Sequence, residues 1–393
     1  IISAADYVIE IGPGAGKNGG TVIDQGTVPT IQKSSKSLIA PFLNGTAKLL
    51  VRKQIPKGQL FAKGDIAVGV SDRYNLHDVT AHFPKGRLSV VSGYSGSGKT
   101  TLILDSFIPA IKAAIKKEPI PSHVSHLDRA HIHRVVMVDS VPVGKNVRST
   151  VATYSGILDT LRVLFADTEA AKQQKWTASH FSYNVGSGAC PNCKGTGTIS
   201  LDIQYLPDMV ETCPVCHGKR YNDETLAVKW HGYSIADILA LDVEHALPVF
   251  ADVPAIKTIL EKLAEMGLGY LVLGESTPIL SGGEAQRLKL VSQMGRKQSG
   301  TLFVFDEPSV GLHPLDIQTL IHVFDRLIEQ GATIIIIEHD LDVIANADYV
   351  VDLGPKGGQF GGQIIAAGTP QEVANTAKSE TGKYLKAHFD LFQ

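Results

Sequence analysis

The chain has no apolar run near the roughly 18 residues needed to cross a bilayer. Its longest candidate, "TIIII" at 333–337, has strand length. A membrane-spanning helix is therefore excluded. A dominant charge sign is missing too: 37 Lys and Arg against 39 Asp and Glu leave a net charge of -2. That excludes a uniformly basic nucleic-acid binder but leaves room for a local basic patch. Cysteine is scarce, at four in 393 residues, and all four fall in two pairs with none left over. No initiator Met, basic n-region or signal-like stretch precedes the body of the chain, which opens at Ile1. The remaining composition, 44% hydrophobic and 19% charged, is that of a soluble globular protein of two or three domains.

What is present begins with a repetition. "ADYVIEIGPGAGKNGGTVIDQGT" at 5–27 returns as "ADYVVDLGPKGGQFGGQIIAAGT" at 347–369, an offset of 342 residues with no gap and 12 of 23 positions identical. The frame continues: Ser37 falls opposite Ser379, Phe42 opposite Tyr384 and Leu43 opposite Leu385. A period of this size means duplication of a whole domain and excludes a short solenoid repeat. With the opening at Ile1, it leads us to expect a chain that starts inside a longer one.

The cysteines read Cys190-x2-Cys193 and Cys213-x2-Cys216, with 19 residues between the pairs. Two short turns that each present two sulfurs can close a tetrahedron about one zinc ion. Disulfides are disfavoured in a reducing compartment, and redox CxxC motifs usually come singly. His217 stands beside a ligand and reads as a surface residue.

Residues 93–100, "GYSGSGKT", match the phosphate-loop pattern between a strand-like "RLSVVSG" and a segment of helical spacing, "TTLILDSFIPAIKAAI". In such a loop Gly93, Ser95, Gly96 and Gly98 let backbone N–H groups wrap the phosphates of a nucleotide at a helix N-terminus, with Thr101 following. Lys99 reaches the β- and γ-phosphates and Thr100 takes magnesium. Further on, "TLFVFDEP" at 301–308 is an apolar strand ending in Asp306, suited to the magnesium shell, and Glu307, suited to polarising an attacking water. Two acids at such a place also occur as caps of a following helix. A second apolar strand, "TIIIIEHD" at 333–340, however, ends at His339, positioned to sense a γ-phosphate, and parallel strands present ligand-binding residues at their C-terminal ends. Between loop and acids lies "LSGGEAQRLKL" at 280–290, where Ser281 caps a helix and Gly282 and Gly283 leave backbone open to a phosphate.

These four motifs in this order resemble the ABC ATPase superfamily. The 182 residues from Lys99 to Ser281, the cysteine module among them, narrow the resemblance to the UvrA family, the damage-recognition ATPases of bacterial nucleotide excision repair. The stretches that carry it are "HFSYNVGSGACPNCKGTG", "CPVCHGKRYNDETLAV", "LGESTPILSGGEAQRLKL", "DEPSVGLHPLDI", "IIIIEHDLDVIANADYVVDLGP" and "GTPQEV", spread over most of residues 70–385. The resemblance implies an α/β fold: an ABC-type phosphate-loop ATPase core at 62–150 and 270–393, interrupted by a helical, zinc-binding signature domain at 151–269. Residues 44–61 read as a linker. Because UvrA-like proteins carry two ATPase units in tandem, residues 1–43 resemble the tail of the first unit and the rest the second, so the chain resembles a C-terminal half.

The resemblance further implies ATP, Mg2+ and Zn2+ as cofactors, a cytoplasmic protein without membrane association, double-stranded DNA as partner, and UvrB as partner of the full-length protein. It implies a nucleotide sandwiched between the loop of one unit and the Ser281–Gly283 signature of another, supplied by a second copy or by the other half. Lys219, Arg220, Lys145 and Arg148 are candidate phosphate contacts, with Tyr221, Trp230 and Tyr233 interleaved near the first two; those aromatics serve equally as the core of a small zinc module. Tyr74 stacks on adenine or packs in the core. Ser140, in "VVMVDSVPVGKN", stands where the family usually carries a magnesium-contacting Gln. A transporter or ribosome-acting ATPase lacks the four thiolates, and a chromosome-type ATPase carries a heptad coil that residues 101–279 do not show. A UvrA-like paralogue in drug tolerance, without UvrB, is the alternative.

Overall fold

The computed structural model describes residues 2–13, 19–139, 144, 147–184, 186–201, 209–291, 293, 294 and 297–392. The strands in chain order are β1 Val8–Gly12, β2 Thr21–Gly26, β3 Asp65–Arg73, β4 Leu76–Pro84, β5 Leu88–Gly93, β6 Val124–Asp128, β7 Arg134–Val138, β8 Thr198–Leu201, β9 Met209–Thr212, β10 Thr301–Asp306, β11 Thr333–Ile337, β12 Tyr349–Gly354 and β13 Gln363–Gly368. Two compact units divide the chain: Ile1–Ser140 with Met294–Gln393, and Val141–Gln293.

The first unit is built on a six-stranded sheet of order β13-β12-β5-β11-β10-β7. All neighbours in it are parallel except the β12–β13 hairpin. β11 is an apolar run after Thr333, and β5 interrupts its apolar residues only with Ser89 and Ser92; both strands are buried along their whole length, as central parallel strands must be. A three-stranded antiparallel sheet, β4-β3-β6, closes over one face. Ile66, Val68 and Phe83 from that sheet meet Leu102 and Phe107 from the segment after the phosphate loop, and Val304, Ile335 and Val351 from the six-stranded sheet, in one core. The segment expected to be helical begins with a wide π-type turn, Thr101–Phe107, in which the Ile108 N–H donates to the Ile103 carbonyl. It then continues as the α-helix Ile108–Lys116.

The opening repeat is conformational as well as sequential. β1–β2 forms a hairpin of its own, with a bulge after Glu10 and a cis Gly12–Pro13 bond. β12–β13 has its bulge after Asp352 and a cis Gly354–Pro355 bond, each displaced by the same 342 residues. Residues 44–61, expected as a linker, are bound along this unit. Arg52, buried, pairs with Asp325 and Asp348 and donates to the Asn346 carbonyl. Asn346 in turn accepts from Val51 N–H and donates to the Leu49 carbonyl, and Lys57 pairs with Glu372.

The second unit is helical around a hairpin, β8–β9, flanked by the two cysteine pairs. Its short helices begin where the residue types allow: Thr150, Thr168, Asn222, Ser234 and Asp242 each accept a backbone N–H from the first turn with their own side-chain oxygen. The sequence placed the boundaries of the insertion at 151 and 269, whereas residues 270–293 pack with it. Bridges Thr150↔Ser276 and Asp242↔Val272, with Val151 N–H donating to the Glu275 carbonyl, tie that stretch to the helices. Backbone pairing of this kind leaves no periodicity in sequence.

Candidate functional site

β5 ends in the phosphate loop. Gly93 adopts φ 132°, and a Cβ there would stand 2.0 Å from the Leu353 carbonyl oxygen of the adjacent strand, so only glycine fits. Lys99 is 6% exposed; its Nζ donates to the carbonyls of Gly93 and Tyr94 at 2.9 and 2.7 Å. Burial lowers the Lys99 pKa, against the opposing pull of Glu307, Asp352 and Asp306. The Ser97 hydroxyl is buried with no partner. An orphaned donor beside a buried lysine and glycine-rich backbone fits a phosphate. Ser95 and Thr100 are exposed at the loop and Thr101 is half-buried.

The loop is braced from two sides. Asn75 donates to the carbonyls of Gly96 and Gly358 at 3.0 and 3.2 Å, while the N–H groups of Gly358 and Gly362 donate to Gly96 and Ser97 at 3.0 and 2.9 Å. Gly362, at φ 80°, passes so close that a Cβ would fall 1.7 Å from the Asn75 carbonyl oxygen. Tyr74 is no core residue: its ring is 71% exposed at φ 55°, covered on one side by the Arg73 guanidinium at 4.5 Å. The bracing glycines were missed from the sequence as site residues, although the repeated Gly-rich stretch contains them.

Adjacent parallel strands bring the acids and histidine to the same sheet end as Lys99. Asp306 closes β10 half-buried, its pKa raised by burial and then by Glu307, Asp139 and Glu338. Glu307 follows in the left-handed region at φ 45°, where a non-glycine residue is held only by its surroundings. Its N–H donates to Ile337, and its carboxylate lies 3.5 Å from His339 Nε2. Burial, then Lys99, lower the His339 pKa despite that acid. Excess acid beside a buried lysine is the setting in which a divalent cation is bound.

In the second unit, Ser281 caps its helix as expected and Glu284 makes the cap reciprocal: Ser281 Oγ accepts from Glu284 N–H and the Glu284 carboxylate accepts from Ser281 N–H. The helix Gly282–Val291 follows, with Gly282 exposed and Gly283 buried.

Cys190, Cys193, Cys213 and Cys216 converge, all buried, with every pair of sulfurs within 4.8 Å. Two of the separations, 3.6 Å for Cys193–Cys216 and 4.0 Å for Cys190–Cys213, bracket the edge of about 3.8 Å of a tetrahedron with Zn–S near 2.3 Å. Asn192 Nδ2 donates to Cys213 Sγ and lowers the pKa of that thiol, burial raises that of Cys216, and the Gly197 N–H donates to Cys193 Sγ. Four buried cysteine sulfurs so grouped, with N–H donors on two of them, fit a structural zinc ion. His217 is exposed beside them, as expected.

Of the basic candidates, Lys219 is exposed. Arg220 is committed within the unit: it donates to the Val147 carbonyl and Ser276 hydroxyl and lies 5.1 Å over the Tyr183 ring. Arg148 is half-buried and donates to the Asn184 carbonyl, and Lys145 and Ser140 lie outside the described residues. Tyr221 is fully buried and Trp230 stacks on Phe250 and His231, so these two aromatics are packing groups; Tyr233 remains 37% exposed.

No family model matches the chain. Among curated proteins it is 45% identical over 388 residues to UvrABC system protein A of Thermus thermophilus, covering 97% of this chain and 40% of that protein. It is 44% identical over 389 residues to the UvrABC system protein A of Bacillus subtilis, covering 98% and 40%. Among solved structures it matches UvrA2 from Deinococcus radiodurans with a TM-score of 0.91 and 40% identity, over 98% of this chain and 46% of that one. The chain thus spans less than half the length of these relatives. With its phosphate loop, acids and four-cysteine cluster in one α/β architecture, it belongs to the UvrA family.

Proposed function

We propose that the chain is the ATP-binding and ATP-hydrolysing C-terminal half of a UvrA-type DNA-damage recognition subunit, acting in nucleotide excision repair in the cytoplasm. The observation that carries this is the convergence of Lys99, Asp306, Glu307 and His339 at the C-terminal ends of three neighbouring parallel strands. Lys99 exchanges its two loop carbonyls for β- and γ-phosphate oxygens, and the Ser97 hydroxyl and loop N–H groups orient the phosphates. Thr100 and Asp306 would hold magnesium, which when bound neutralises charge between the phosphates. Glu307 polarises the attacking water, His339 contacts the γ-phosphate, and Tyr74 offers adenine an exposed ring face.

The signature residues Ser281, Gly282 and Gly283 serve the phosphate loop of another unit, either in a homodimer or in the other half of a longer protein. Residues 1–43 support such a partner: Ile9 and Ile11 are 57% and 67% exposed, and Glu10 carries a buried, unpartnered Oε2. Cys190, Cys193, Cys213 and Cys216 hold zinc and fold the module that presents Lys219 to duplex DNA. UvrB is the partner of the longer protein.

The test is a titration of the chain with Mg·ATP at rising protein concentration, with Lys99→Ala as control. We expect saturable binding lost in Lys99→Ala, and turnover per molecule that rises with protein concentration. Equal turnover at every concentration would defeat the two-unit site. Anisotropy with intact and lesion-bearing duplexes should show binding that weakens with salt and with Lys219→Ala. Native mass should show one zinc per chain, and chelation should unfold the second unit.

A further inference from the structure

One buried acid has no part in the chemistry above. Glu338, the residue after β11, is 1% exposed, yet both oxygens are engaged. Oε1 accepts the Ser309 N–H at 2.9 Å; Oε2 accepts the N–H groups of His339 and Asp340 at 2.6 and 3.0 Å. Its own N–H donates to the Val91 carbonyl of β5. A single side chain therefore joins the turn after β10, which carries Glu307, to the turn after β11, which carries His339, and the backbone N–H of the same residue ties it to the phosphate-loop strand. Three backbone N–H groups from two separate turns thus converge on one carboxylate.

We propose that Glu338 is a positioning residue for hydrolysis, one that sets the distance and orientation between Glu307 and His339 through the backbone on either side without touching the nucleotide. The inference rests on the ATPase reading above. It explains how Glu307 keeps a left-handed backbone: Ser309, two residues on, is fixed by Oε1, while the Glu307 N–H is fixed by Ile337. Glutamine in place of Glu338 has nearly the same shape, but one oxygen becomes an NH2 that must face a backbone N–H. At least one side of the clamp then opens.

The experiment compares wild type, Glu338→Gln, Glu338→Asp, His339→Ala and Glu338→Gln/His339→Ala for Mg·ATP affinity and turnover at equal protein concentration. We expect Glu338→Gln to lower kcat at least tenfold with ATP affinity within twofold of wild type. Glu338→Asp should restore part of the loss, and the double variant should match His339→Ala alone, because both changes act through one geometry. Unchanged kcat in Glu338→Gln, a loss confined to affinity, or additive losses in the double variant would overturn the proposal. Should Glu338→Gln fail to fold, hydrogen exchange on wild type decides: the Ser309, His339 and Asp340 amides must be protected together, and free exchange at Ser309 refutes the clamp. Wild type that neither binds nor hydrolyses Mg·ATP would defeat the ATPase reading itself, and this inference with it.

Discussion

Residues 5–43 and 347–385 are two copies of one passage, and the hairpin strands described in both fold alike in opposite surroundings. In the second copy β12 lies between β5 and β13, and Val351 and Leu353 are each 1% exposed. In the first copy the equivalent Ile9 and Ile11 stand mostly in solvent, because among the described residues β1 pairs only with β2. The acid at the bulge tells the same story. Asp352 collects three hydroxyl donors, Ser92, Ser379 and Thr381; Glu10 collects the N–H groups of Leu38 and Ile39 through Oε1, and its other oxygen has no partner. Strand pairing and bulge are thus local products of the sequence. Burial belongs to the neighbour.

The largest expected effect sets the two strands against each other. Val351→Asp places an unpaired charge between β5 and β13 and should cost at least about 3 kcal/mol of unfolding free energy, whereas Ile9→Asp at the matching position should stay within about 1 kcal/mol. Urea unfolding measures both, and equal losses would mean that β1 is also buried in solution. A smaller contrast concerns the matched serines. Ser379 Oγ accepts from Gly382 N–H and donates to buried Asp352, while Ser37 Oγ accepts from Ala40 N–H. Ser379→Ala should therefore cost about 2 kcal/mol and Ser37→Ala about 1 kcal/mol by the same assay.

The smallest effect separates the copies by charge. Glu372 pairs with Lys57, and the first copy has Thr30 at the equivalent place. The Lys57 hydrogen bond, followed by that from the Thr369 N–H, holds the Glu372 carboxyl below its ordinary value of 4.5. The folded value being the lower, the stabilisation is complete above the ordinary value and is lost as pH falls through the folded one. Both groups are more than a third exposed, so Lys57→Ala should cost no more than about 0.5 kcal/mol at pH 7, and nothing once the carboxyl is protonated. A melting-temperature series against pH checks this, and a loss that grows in acid would contradict it.

Much of the site was legible because its chemistry is written in contiguous residues. The phosphate loop, the Asp306–Glu307 pair, the Ser281 cap and the cysteine pairs each occupy a few consecutive positions whose spacing is set by a turn or a strand end. What escaped the sequence joins residues far apart. Arg52 meets Asp325 and Asp348, which turned an expected linker into a bound strap; Glu338 reaches Ser309; and Arg220, a candidate for DNA, is held by Val147 and Ser276. Tyr74 was undecided from sequence, since an aromatic between two strands suits a core or a surface equally, and only its turn conformation exposes it.

By itself, then, the sequence determined the strands, the turns that hold the glycines and the pairing of the cysteines, since these depend on steric and hydrogen-bond preferences over a few bonds. The tertiary structure alone decided which copy of the repeated hairpin is buried, where the two units divide and which charges are committed inside the protein. Such outcomes depend on which partner surface excludes water from a residue, and no local pattern carries that information.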